Sequence, residues 1–102
     1  MAEQPLFFLI SVNEDVLMDH WTIRAADELA VMRHVLDNIW MYEGLFWALQ
    51  INLFKIDQVS PEDLLQAIKD SYGARLNATI YLIRVAPTEI QAGNPDNERT
   101  TA

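Results

Sequence analysis

Cysteine is absent from the 102-residue chain. That removes disulfide scaffolds, thiolate nucleophiles and cysteine-based zinc or iron–sulfur sites. Basic residues are scarce: 7 Lys and Arg stand against 15 Asp and Glu, a formal net charge of −8. Phosphate backbones repel a chain of that sign, so direct nucleic-acid binding is not expected. Long apolar runs are missing too. None is longer than 6–10, far short of the ~20 residues that span a bilayer. Glu3 and no base precedes that run and no small-residue cleavage site follows it, so it does not read as a signal peptide. The expectation is a cytoplasmic protein without a membrane partner. Only 3 glycines occur, each isolated, too few for a loop that cradles phosphate.

What remains is ample for a core. Hydrophobic residues make up 51% of the chain and charged ones 22%, ordinary proportions for one globular domain. Residues 1–4 form a polar leader. Residues 5–87 are dense in apolar side chains, with no linker or repeat. From 88 to 102 the composition turns to Pro, Gly, Asn, Thr and charge, with Ile90 the one large apolar residue. Such a segment buries too little to offset the entropy of ordering it, and 88–102 is expected to be a disordered tail.

Two helices are legible. Ser60 precedes Pro61, Glu62 and Asp63: a hydroxyl cap, a proline suited to the first helical position, and acids on the first-turn amides. Leu64, Leu65, Ile68 and Tyr72 then share one stripe, and Gly73 supplies a stop. The second helix covers about 27–40, with Leu29, Val31, Met32, Val35, Leu36, Ile39 and Trp40 on one half of its cylinder and Arg33, His34, Asp37 and Asn38 on the other. His34 on that polar arc reads as a solvated surface imidazole.

Strands are expected at 6–12, 45–56 and 78–85, from β-branched and aromatic content and from alternation. Residues 16–26 also alternate, with Leu17, Trp21, Ile23 and Ala25 on one side and His20, Thr22 and Arg24 on the other. Asp27 would then cap the following helix. This gives an α+β two-layer sandwich in the order ββαβαβ, two helices on one face of a four-stranded mixed sheet. The alternative makes 19–37 one helix and yields βαββαβ, the ferredoxin-like order.

Catalytic patterns are lacking. No His-Glu-x-x-His or Gly-x-Ser-x-Gly occurs, and the acids at 13–19 lack calcium-loop spacing. Catalytic residues, metals and cofactors are all expected to be none. The aromatics are the positive signal. Trp21, Trp40, Trp47 and Phe8 are assigned to the core. The sheet face away from the helices is expected to carry Phe7, Leu9, Arg24, Phe46, Gln50 and Phe54, too apolar to sit in water and too polar for a core. Mixed faces of this kind resemble protein interfaces.

The function expected is therefore a small acidic interaction or regulatory domain, a homodimer or the partner of another protein, joined through that face. On this reading Phe46→Asp yields a soluble monomer. One alternative is an acidic inhibitor or decoy, of the sort a phage or mobile element encodes, that occupies a nucleic-acid site on a basic partner. Another is a small-molecule binder whose pocket lies at a dimer seam, with His20 and Arg24 as ligand contacts.

Overall fold

The computed structural model describes residues 4–86. Most of the expected leader and the whole tail from 88 lie outside the described residues. Strands β1 (Leu6–Asn13) and β2 (Val16–Arg24) form a hairpin, and β3 (Thr79–Val85) pairs with the other side of β1. Both pairings are antiparallel, and the sheet order is β2-β1-β3. Between β2 and β3 come α1 (Glu28–Asp37), a 3₁₀ turn (Ile39–Tyr42), α2 (Glu43–Ala48), a second 3₁₀ turn (Leu53–Gln58) and α3 (Pro61–Asp70). The fold is α+β with a three-stranded antiparallel sheet. Among the described residues there is no fourth strand and no parallel pairing, and neither expected order of elements applies.

The missing strand is residues 45–56, which carry α2 and the second 3₁₀ turn instead. Their side chains satisfy two periods. Leu45, Trp47, Leu49, Ile51 and Leu53 alternate, but Leu45, Phe46, Ala48 and Leu49 also fall on one side of a helix. The helical choice buries all four of the latter. Gln50 then takes φ 59°, its amide bonds to the Trp47 carbonyl at 3.1 Å, and the Ile51 amide bonds to the Phe46 carbonyl at 2.9 Å. Those two bonds close a Schellman cap on α2 with a glutamine at the position glycine usually holds.

The other elements form where their local chemistry places them. The Asp27 carboxylate accepts from the Ala30 amide at 2.8 Å and starts α1. The Ser60 hydroxyl accepts from the Asp63 amide at 3.0 Å while the Asp63 carboxylate accepts from the Ser60 amide, a reciprocal capping box on α3. Buried Ser71, at the end of α3, donates to the Ile68 carbonyl at 2.6 Å and accepts from the Ile80 amide at 3.1 Å, tying the helix to β3.

The core lies between the helices and one face of the sheet. Phe7 and Leu9 of β1, Ile23 of β2 and Ile80 of β3 meet Val31, Met32 and Val35 of α1, Leu45 and Phe46 of α2, and Leu64 and Ile68 of α3. Fully burying a large apolar side chain contributes about 1.5–3 kcal/mol. The hairpin turn opposes this locally: Glu14 and Asp15 take φ 50° and 67°. Positive φ at both central residues marks a type I′ turn, which favours Asn-Gly.

Two substitutions follow. Asp15→Gly relieves one left-handed non-glycine residue and should raise the urea midpoint by an amount worth about 0.5–1 kcal/mol. Phe46→Asp puts a carboxylate where Phe46 is fully buried. It should cost more than about 4 kcal/mol and give an unfolded chain by circular dichroism, in place of a soluble monomer.

Candidate functional site: two apolar surfaces

The residues expected to form one interaction face are divided by the fold. Phe7 and Leu9 point under the helices and Phe46 lies in the core, all at 1% exposure or less. Alternation in β1 offers two apolar sets, and the helices cover the set containing Phe7, Leu9 and Ser11. Arg24 stands on the uncovered face, where its Nη1 donates to the Gln4 carbonyl at 3.0 Å. Gln50 and Phe54 belong to the α2 segment and are exposed. Phe54 is 98% exposed.

The uncovered face is built from the other half of each strand. Its registers run in rows: Arg24, Leu6 and Val85; Thr22, Phe8 and Ile83; His20, Ile10 and Tyr81; Leu17, Val12 and Thr79. Phe8, Tyr81, Ile83 and Leu17 are each about two-fifths exposed or more. His20 is exposed and lines a shallow depression of about 240 Å³ with Phe8, Ile10 and Leu17. No Asp or Glu stands at any position in these rows. Among the described residues in these rows, His20 and Arg24 are the only ionisable groups besides the Tyr81 phenol.

A second apolar surface lies outside the sheet. Trp40 and Trp47, expected in the core, are 74% and 56% exposed. Trp40 leaves the buried arc because α1 ends at Asp37 and Asn38 turns the chain with φ −136°. Trp47 points outward because α2 faces the core with Leu45, Phe46, Ala48 and Leu49. A groove of about 550 Å³ runs beside it, lined by Glu43, Gly44, Trp47, Ile51, Asn52, Leu53 and Phe54. Alternation alone could not reveal this groove, since it puts Trp47 and Phe54 on opposite faces. Their helical and 3₁₀ placement brings them to one.

Polar contacts hold that segment in place. Trp21 of β2 donates from Nε1 to the Met41 carbonyl at 3.2 Å, and its ring lies 5.4 Å from that of Tyr42. The Asn77 amide donates to the Trp47 carbonyl at 2.9 Å. Gly44 packs so close to β2 that a Cβ there would meet the Asp19 carboxylate oxygen at 2.5 Å. His34 is not a free surface imidazole: its Nε2 lies 2.7 Å from the hydroxyl of buried Tyr42, and Asn38 donates to the His34 carbonyl at 2.8 Å.

Compared with known protein families, curated proteins and solved structures, the chain matches none. Among the described residues no group of three or more His, Cys, Asp or Glu could hold a metal ion, and no helix is long and apolar enough to cross a membrane. The chemistry on view is that of surfaces: one acid-free and β-sheet, the other aromatic and helical.

Burial pushes the Tyr42 hydroxyl above its ordinary pKa. The folded chain therefore holds that proton more tightly than the unfolded one, and its stabilising effect is intact below about pH 10 and lost as pH rises further. Tyr42→Phe should cost about 1 kcal/mol near neutrality by leaving His34 Nε2 without its partner. It should also flatten the fall in urea midpoint between about pH 9 and about pH 11.

Proposed function

We propose that this protein is an interaction module that pairs with a second copy of itself through the uncovered face of its sheet. The absence of acid from that face, on a chain carrying a net charge of −8, supports this reading most directly. Two copies repel each other wherever carboxylates face carboxylates. The rows of Phe8, Ile10, Tyr81 and Ile83 are where that repulsion is weakest and the apolar gain greatest.

The size of the face is compatible with the reading. Three strands at ~4.8 Å spacing and eight residues at ~3.4 Å rise cover roughly 400 Å² in projection, within the range of functional surface patches. Matched against itself it buries about 800 Å² in projection over the two copies, a small area of the size of weak, reversible pairings. Cyclic twofold pairing is the commonest arrangement of identical chains. It would place Arg24 and His20 of each copy along the seam, at the edge on β2.

Sedimentation equilibrium or light scattering of the full chain, at two protein and two salt concentrations, tests this. The expected result is a dimer whose mass does not fall at high salt. Leu17→Asp and Ile83→Asp lie on edge strands at exposed positions, so each should leave the thermal transition nearly unchanged while weakening the dimer at least about tenfold. A wild-type monomer at all concentrations, or variants that keep the dimer mass, would overturn the reading.

A further inference from the structure

We infer that the groove beside α2 is a docking site for a basic amphipathic segment of a partner protein, which seats an apolar side chain between Trp47 and Phe54 and sets a Lys or Arg against Glu43. The groove is built from α2 and the chain just after it, with no strand residue in its lining. It is therefore separate from the self-association face.

The groove has the makings of an anchor pocket. Trp47 and Phe54 flank it at 56% and 98% exposure, and Ile51 and Leu53 complete its apolar lining. Aromatic walls around a concave apolar site are where one buried side chain of a partner contributes most to binding. A helix laid along such a groove presents its anchors at three- and four-residue spacing. The Asn77–Trp47 bond and the Schellman cap hold the backbone of the Trp47 wall, whereas the exposed Phe54 ring is ordered when the partner segment seats against it.

Charge selects the occupant. Among the described residues, Glu43 is the only charged side chain lining the groove. Asp19 lies just behind Gly44, and Lys55, the one base of the neighbouring 3₁₀ turn, is not in the lining. The chain as a whole is strongly acidic. A second copy would bring the wrong sign to this rim, as would an anionic membrane or a nucleic acid. A helical segment with Leu or Phe at three- and four-residue spacing and Lys or Arg between them brings the right sign and the right anchor, and opposite charge speeds its approach.

The test uses the full-length chain and a fluorescein-labelled synthetic peptide of Leu and Lys patterned as an amphipathic helix, read by anisotropy. A matched peptide with Glu in place of Lys is the control, and amide shifts of Gly44 and Trp47 locate the contact. The proposal expects micromolar binding of the Lys peptide, shifts centred on those residues, and about tenfold weaker binding by Glu43→Lys and by Phe54→Ser. Both variants alter exposed side chains, so both should fold. Affinity should also drop several-fold between about 0.05 M and about 0.5 M salt.

Equal binding of the Glu peptide would show apolar stickiness without charge selection and overturn the proposal. So would shifts spread over the acids of α1 and α3, or unchanged affinity in both variants. If Phe54→Ser instead halves the mass of the wild-type assembly, the groove is a contact between copies. If neutral phosphatidylcholine vesicles bind the chain and the Lys peptide does not, the aromatics serve a lipid surface. Either result rejects the basic segment.

Discussion

Burial of one side of β1 beneath the helices is the contact on which the rest of this structure depends. β1 is the central strand, so its backbone bonds run to β2 on one side and β3 on the other, and Phe7 and Leu9 bring the sheet its largest share of the core. Because both neighbours are antiparallel to β1, they are parallel to each other. The chain leaving β2 beside Leu6 must travel back along the sheet before β3 can start beside Val12. The helical segment makes that return, and in doing so covers one face only. Among the described residues no element lies against the other face.

That arrangement separates two kinds of surface. Several acids stand at helix starts, where Asp27 and Asp63 satisfy amides; Glu14 and Asp15 stand at the hairpin tip, and Asp19 lies on β2 opposite Ser11, on the side facing the helices. None enters the rows of the uncovered face. The charge that keeps one copy from sticking to another is thus withheld from the one broad apolar patch on the sheet. It is kept beside the smaller groove, where Glu43 adjoins Trp47. The two apolar areas therefore differ in charge: the sheet face carries no acid in its rows, and the groove has Glu43 in its lining.

Much of the scaffold was legible in the sequence, for reasons found in particular residues. Ser60, Pro61 and Asp63 announce α3 through three independent preferences, and Asp27 marks the start of α1 just where alternation in 16–24 stops. Residues 45–56 were misread because their pattern satisfies both a strand and a helix, and because Gln50 occupies a left-handed position where glycine would have signalled the cap. That one ambiguity inverted Phe46 and Trp47, sending a core residue to the surface and a surface residue to the core. The faces of β1 raised a different difficulty: Phe7 with Leu9, and Phe8 with Ile10, are equally apolar, so only packing decides which pair is covered. Exposed tryptophans are invisible to patterning, which assigns large apolar residues inward by default.

The backbone at the hairpin tip shows the same competition between stability and access. Glu14 and Asp15 hold left-handed conformations that cost of order 1 kcal/mol each, and Asn-Gly would remove most of that cost. They are followed at once by Val16, Leu17 and Met18, all about half exposed or more on an edge strand whose outer backbone groups face no partner strand among the described residues. A bare apolar edge of this kind invites pairing with any extended chain. Two carboxylates at its mouth, with Asp19 at the far end of the apolar run, make that approach costly for another acidic chain. An Asn-Gly turn would relieve the strain and at the same time remove both carboxylates from the end of the β2 edge, so at this position turn stability and edge charge oppose each other.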